Sequence, residues 1–303
     1  MTFSVEAGEI VGFLGANGAG KTTTMRMLTT LLEPTAGDAR IGGWWLRRDA
    51  AQVRRRIGYV SQSGGTRGES RVVEELLLQA RFQGMSAAAG RVRVHELCGL
   101  LDLADLSDRP MRSLSGGQRR RVDIAMGLVH RPVVVFLDEP TSALDPQSRR
   151  AVWDQVRRLR DDAGTTVFLT THYLDEADAL CDRILLMERG LLTESSTPDE
   201  LKRRFACDTV TLEIHGPPDV ALQALLAWGE VIGLEASAVD VRGATLRLPV
   251  RDGAGSLPWI VRALDAVGVG LASVQLARPT LDDVFQVRAA QREARPAPVP
   301  GQR

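Results

Sequence analysis

The run GANGAGKTT, Gly15–Thr23, places a lysine and a hydroxyl directly behind a glycine-rich segment, in the spacing G-x-x-x-x-G-K-[ST]. Glycine takes backbone angles closed to other residues, so Gly15, Gly18 and Gly20 let the main chain wrap closely around a ligand. Successive amide N–H groups then form a concave anion site, and a helix opening at Lys21 and Thr22 turns its positive end toward it. The chemistry is phosphate binding. Gly15, Ala16, Asn17, Gly18, Ala19 and Gly20 form the cradle, with Lys21, Thr22 and Thr23 at its mouth. Lys21 is expected on the terminal phosphates and the Thr22 hydroxyl on Mg²⁺. Average residue usage puts a chance match in a chain this long on the order of one per cent.

Further along, VVVFLDEP (Val133–Pro140) is an apolar run ending in two carboxylates. Asp138 stands where it could hold Mg²⁺, directly or through water, since that hard cation takes oxygen ligands and keeps several waters. Glu139 could accept a proton from an attacking water or orient it. Alone, an acidic pair at a strand end is as often a turn feature; beside a phosphate loop the nucleotide reading dominates. LSGGQ, Leu114–Gln118, precedes a helical pattern, where serine and glycine amides make either a second anion site or a simple cap. Arg119–Arg121 and Arg54–Arg56 read as solvated helix faces, and Trp44–Trp45 as partly buried beside the sheet. His95, His130 and His215 read as structural or surface residues. No metal cage or nucleophilic triad is visible.

These residues need elements to hold them. Candidate buried strands at Ile10–Leu14, Ile57–Val60, Val133–Leu137, Thr166–Thr170 and Ile184–Met187 alternate with helical patterns, as a mainly parallel, two-sided α/β sheet requires. TTTMRMLTTLL, after the phosphate loop, reads as an amphipathic helix stopped by Pro34. From about residue 63 to 130 the pattern is helical, with VVEELLLQARF and GRVRVHELCGLLDL as its clearest segments, which predicts a helical insertion. Beyond Phe205 the strands DTVTLEI, AVDV, ATLRLPV and LASVQLA and the helices DVALQALLAWG and LPWIVRALDAVG follow the β-α-β-β-α-β order of a split, ferredoxin-like unit. The expected division is 1–205, a small α+β domain at 206–287, and a tail at 288–303. Prolines and charge without apolar periodicity predict disorder in that tail.

The totals exclude several classes. The 303 residues carry 38 basic and 38 acidic side chains, a balance that argues against a general nucleic-acid partner. Three cysteines, Cys98, Cys181 and Cys207, have no metal spacing and are an odd number for a disulfide framework, which fits a reduced, cytoplasmic protein. The first residues do not read as a secretory signal. No apolar stretch approaches the ~20 residues that span a bilayer.

Taken together, GANGAGKTT, GYVSQ, LSGGQ, VVVFLDEP, SALD and TTH stand in the order that marks the nucleotide-binding subunit of ATP-binding cassette (ABC) transporters, and residues 1–205 resemble that family. The resemblance implies a P-loop NTPase cassette, α/β with a helical insertion, that binds ATP and Mg²⁺ and hydrolyses ATP. It implies two cassettes facing head to tail, a homodimer here, with each ATP between one subunit's phosphate loop and the other's signature segment. Ser115, Gly116, Gly117 and Gln118 would then serve the partner's ATP. Gln62 corresponds to the glutamine that senses Mg²⁺ or water, and Asp145 to the aspartate that crosses between sites. His172, which alone would be read as structural, corresponds to the histidine that holds the γ-phosphate and positions the water. Glu139 and His172 are thus the candidate catalytic pair, and Thr22, Gln62 and Asp138 the candidate metal set.

THYLDEADALCDRILLMERG, TPDELKRRF and RPTLDDVF (Arg278–Phe285) resemble the daunorubicin-type resistance exporters. That implies drug or antibiotic export through a separate transmembrane permease, with this chain at the cytoplasmic face of the membrane. An importer cassette, or a soluble translation or DNA-repair ATPase, would share the ATP residues and stays open as an alternative. Two departures from the family pattern stand out. SGGTRGESRVVEELL, after Gln62, is unusually rich in glycine and polar residues. The family also has about twenty residues ahead of FSVEAGE, with an adenine-stacking aromatic. Met1 is therefore expected to be internal to the natural reading frame, or ATP to bind weakly.

Overall fold

The computed structural model describes residues 1–65, 68–234 and 239–293, with the backbone alone for 288–293. The chain separates into two compact units between Pro198 and Asp199. The expected boundary at Phe205 instead marks the end of a helix that begins at Pro198.

In the first unit, β1 (Ile10–Leu14) leads through the glycine-rich loop into α1 (Lys21–Leu28). This helix ends at Leu28, short of Pro34, and Thr30 just beyond it is left-handed with φ of +62°. A hairpin of β2 (Arg40–Ile41) and β3 (Trp44–Trp45) follows, then α2 (Ala50–Arg56) runs directly into β4 (Ile57–Val60). Trp44 and Trp45 are 36% and 44% exposed, not tucked beside the main sheet, because they form their own two-stranded ribbon. The helical stretch comprises α3 (Val72–Phe82), α4 (Ala87–Leu100), two single 3₁₀ turns and α5 (Gly116–Leu128). After it come β5 (Val134–Asp138), α6 (Pro146–Asp161), β6 (Thr166–Thr171), α7 (Leu174–Leu180), β7 (Arg183–Glu188) and β8 (Leu191–Ser196).

The strand order is β4-β5-β6-β1-β7-β8, parallel throughout except for the β7–β8 hairpin. Every residue of β1 and β6 is buried, as expected for central strands covered on both faces. Phe13 and Phe168 anchor one face of this core, their ring centroids 5.6 Å apart, with Phe136 5.5 Å from Phe168. Burial of each such ring is worth about 1.5–3 kcal/mol. Phe3, the other early aromatic, packs into the same cluster 6.0 Å from Phe168.

The second unit opens with α8 (Pro198–Phe205). Its strands are β9 (Asp208–His215), β10 (Asp240–Arg242), β11 (Thr245–Val250) and β12 (Gly270–Ala277), in the antiparallel order β10-β11-β9-β12. The helices α9 (Pro218–Ala227), α10 (Gly229–Ile232) and α11 (Gly253–Ala266) cover one face, burying Leu212, Leu225, Leu248 and Ile260. Of the expected AVDV strand, Ala238 lies outside the described residues. A last helix, α12 (Leu281–Glu293), carries regular backbone through Arg288–Glu293, where the composition predicts disorder. Residues 294–303 of that expected tail lie outside the described residues. Among the described residues no helix is long and apolar enough to cross a membrane.

Candidate active site

Because β4, β5, β6 and β1 are adjacent and parallel, their carboxyl ends share one edge, where open α/β sheets form ligand crevices. Gln62 follows β4, Asp138 ends β5, His172 follows β6, and Gly15 follows β1. Residues far apart in sequence therefore meet at one rim.

The glycine-rich loop is shaped for an anion. Gly20, the residue before α1, has φ of +105°, and Gly18 has φ of +79°, both in the region that favours glycine. No side chain caps α1 and no acidic residue lies in its first turn, so its leading N–H groups face the loop. The Lys21 ammonium reaches back over the loop, donating to the carbonyl oxygens of Gly15 at 2.6 Å and Ala16 at 3.2 Å. Burial pushes its pKa down, against the pull of Glu139 and Asp138.

Opposite this cation lies the acidic pair. The Thr22 hydroxyl is 3.3 Å from Asp138 Oδ1, and Thr170 Oγ1 donates to the same oxygen at 2.6 Å. Glu139 has both carboxylate oxygens engaged. Gln62 Nε2 donates to Oε2 at 2.8 Å, and His172 Nδ1 lies 3.3 Å from Oε1. The Glu139 backbone is left-handed at φ of +44°, and its N–H donates to the carbonyl and the hydroxyl of Thr170 at 3.1 and 3.0 Å. Thr170 thus holds the Asp138 carboxylate and the Glu139 main chain, a role the sequence reading did not give it. Its sequence signal is its place as the first residue of TTH, directly before Thr171 and His172.

His172 is braced from behind. Its ring lies 4.1 Å from that of Tyr173, and the Arg149 guanidinium lies 4.1 Å from the Tyr173 ring centre. Glu176, fully buried on α7, accepts from Thr141 Oγ1 at 2.7 Å and Trp153 Nε1 at 3.1 Å. Burial pushes the Glu176 carboxyl above its ordinary pKa, against hydrogen bonds from Thr171, Thr141 and Trp153. The unfolded carboxyl titrates at about 4.3, so the folded state keeps its proton to higher pH. Stability from this group is therefore lost as pH rises from about 4.3 through the raised folded value. The melting temperature of wild type, measured against Glu176→Gln, should fall between pH 4.5 and 7.5. A difference that does not change with pH would contradict this assignment.

The remaining candidates stand elsewhere. Ser115 caps α5 reciprocally with Gln118: Ser115 Oγ accepts from the Gln118 N–H at 3.2 Å, and Gln118 Oε1 from the Ser115 N–H at 3.0 Å. Asp145 caps α6, accepting from the N–H groups of Gln147 and Ser148 and from Ser148 Oγ at 2.6 Å. These two helix starts border a shallow cavity of about 200 Å³ lined by Ser115, Gly117, Gln118 and Ser148. None of the hydrogen bonds of Ser115–Gln118 or Asp145 reaches the glycine-rich loop.

In the arginine run after Gln118, Arg120 departs from the expected solvated face, whereas Arg119 is exposed as expected. Arg119 donates to Met111 O and Arg121 to Leu101 O and Asp102 O, while Arg120 is buried. Arg120 alone is buried because its side of α5 packs against the sheet, while Arg119 stays exposed and Arg121 half-buried. Arg54–Arg56 is exposed, as expected. The glycines after Gln62 also gain a reason. Gly64 has φ of +68° and passes so close to Asp123 that a Cβ would lie 2.7 Å from Oδ2, while the Gly65 N–H bonds the same carboxylate. Thr66 and Arg67 of that stretch lie outside the described residues.

Residues 1–142 match the family described as "ABC transporter". The chain is 42% identical to the daunorubicin resistance ATP-binding protein DrrA3 of Streptomyces coeruleorubidus, over 93% of this chain and 87% of that protein. It is 39% identical to the Nod factor export ATP-binding protein I of Burkholderia orbicola, over 84% of each chain. Among solved structures, the dimeric ATP-binding cassette MJ0796 bound to ADP and Pi superposes with a TM-score of 0.57 at 27% identity, covering 64% of this chain and 88% of that one. The cassette cbiO1 of Clostridium perfringens, part of the complex cbiONQ, gives 0.62 at 25% identity, covering 76% and 88%.

Proposed function

This chain belongs to the ABC transporter family as an ATP-binding and ATP-hydrolysing cassette subunit, and from that membership we propose that it powers a separate membrane permease in drug or antibiotic export. The observation that carries the export reading is the reach of the similarity. Identity to a drug-resistance protein extends over 93% of the chain, through the second unit and not merely the cassette.

Within the cassette, the proposed roles follow the geometry. The amides of Gly15–Thr23 and the Lys21 ammonium hold phosphate oxygens. A Mg²⁺ ion suits the corner between the Thr22 hydroxyl and the Asp138 carboxylate, two hard oxygen donors 3.3 Å apart, with Gln62 as a further ligand through water. When bound, Mg²⁺-ATP supplies the scissile phosphate and neutralises its charge. Glu139 accepts the proton of the attacking water, and His172 fixes that water's direction.

Ser115, Gly116, Gly117, Gln118 and Asp145 serve a second copy of the chain in a head-to-tail homodimer. Support comes from their separation from the loop: an anion site at α5 with no phosphate loop in reach is explained by a partner's nucleotide. The second unit, with no phosphate loop of its own, regulates or docks the assembly at the cytoplasmic membrane face.

Inside-out vesicles containing this chain and a candidate membrane permease test the export reading. ATP-dependent accumulation of daunorubicin, the drug in that relative's name, is expected for wild type and absent for Glu139→Gln. Normal ATP turnover without accumulation of daunorubicin or any other antibiotic offered would overturn drug export while leaving the ATPase assignment standing.

A further inference from the structure

Arg120 has no role in the site described so far, yet it is one of the few charged side chains the fold buries, at 6% exposure. Withdrawing a guanidinium from water is unfavourable unless its donors are met, and here they are met by main chain. Nε donates to Pro140 O at 2.8 Å, one terminal nitrogen to Asp138 O at 3.0 Å, and the other to Ser61 O at 2.6 Å. Those carbonyls are not scattered. Two belong to the residues on either side of Glu139, and the third to the residue before Gln62.

Glu139 itself stands in the left-handed region at φ of +44°, where a side chain with a Cβ is disfavoured. Such a backbone persists only where its surroundings over-determine it. Thr170 holds the Glu139 N–H from one side. Arg120 holds the flanking carbonyls from the other, and the rigid, planar fork fixes their mutual orientation in a way that a single ammonium donor does not. The same fork ties Ser61, and so the start of the Gln62 loop, to the Glu139 turn.

We propose that Arg120 is a positioning residue for ATP hydrolysis: it clamps the left-handed turn at Glu139 to the Gln62 loop and to α5, so that Glu139 faces Gln62 and His172 at the working geometry. This rests on the reading of Glu139 as the base. Because Ser115 caps α5, the clamp also joins the helix start proposed to serve a second copy directly to the base of this one.

Arg120→Met in the full-length chain tests this, since it keeps the length of the stem and removes all three donors. Displacement of a reacting group by about an ångström can cost up to ~10²-fold, so kcat should fall by at least about tenfold. KM for ATP should stay within about twofold, because no contact of Arg120 reaches the phosphate loop. The deciding measurement is the same substitution in a Glu139→Gln background, read by single-turnover hydrolysis. With the base already gone, Arg120→Met should lower the residual rate by less than about twofold. Equal losses in both backgrounds, or an unchanged kcat in the single variant, would overturn the inference. If Glu139→Gln alone leaves turnover near wild type, the base assignment itself falls, and this inference falls with it. Should Arg120→Met not fold, Arg120→Gln keeps two N–H donors and is expected to be intermediate in kcat; a wild-type rate for it would count against the clamp.

Discussion

Glu139→Gln should bind ATP as tightly as wild type and turn it over at least about 100-fold more slowly. The substitution is nearly isosteric, and the structure gives it a way to keep its place. The glutamine oxygen can still accept from Gln62 Nε2, now 2.8 Å from Glu139 Oε2, while the amide nitrogen takes the position facing His172 Nδ1 at 3.3 Å. The backbone grip on Thr170 is unaffected, since it uses the main-chain N–H. What disappears is the capacity to take a proton. Equilibrium nucleotide binding and steady-state hydrolysis on the same purified, permease-coupled preparation separate the two effects. Turnover within tenfold of wild type would remove Glu139 from the chemistry.

Lys21→Ala should act at the earlier step. A charge-assisted hydrogen bond contributes about 1.5–3 kcal/mol, so ATP affinity should fall by roughly 10- to 150-fold. The buried ammonium is held over the loop by Gly15 O and Ala16 O, aimed at the place where phosphate oxygens are expected. Burial already disfavours its charged form, so an arriving anion gains a cation that is poorly solvated and therefore strongly attractive. Thermal melting with and without Mg²⁺-ATP reads this directly, because a ligand raises stability by RT ln(1 + [L]/Kd). The rise seen for wild type should be nearly abolished at the same ATP concentration. An undiminished rise would mean that the loop amides alone hold the nucleotide.

The two substitutions differ in how visible their targets are in the chain. Lys21 could be picked out from nine consecutive residues, because a phosphate loop is a local object: its glycines, its lysine and its helix start are covalent neighbours. The same holds for the apolar runs that became β1, β4, β5, β6 and β7, whose ends lie within one or two residues of the expected limits. Burial on both faces requires continuous apolar residues, and that requirement is written in sequence. The β-α-β-β-α-β order of the second unit was legible for a related reason, since its alternation of buried and exposed residues has the period of the pleat.

Elements that depend on a neighbour from elsewhere in the chain were not legible. Helical spacing cannot tell Arg120 from Arg119 or Arg121, since three consecutive residues fan out around a helix. Which of them is swallowed depends on where α5 meets the ends of β4 and β5, and Arg120 reaches Ser61 across 59 residues of chain. Trp44 and Trp45 read as partly buried beside the sheet, yet they sit in a two-stranded ribbon of their own, 36% and 44% exposed. Thr170 and Glu176 lie within quoted segments, but spacing assigns neither a partner; their hydrogen bonds to Asp138 and Thr141 form because the fold brings β5, β6 and the residues that follow them to one rim. By itself the sequence determined which segments fold locally and which residues could bind phosphate, because backbone angles, periodicity and helix starts are short-range properties. Only the tertiary structure decided which carbonyl faces which guanidinium and how Glu139 is turned, because those contacts are made by packing between segments that covalent spacing does not relate.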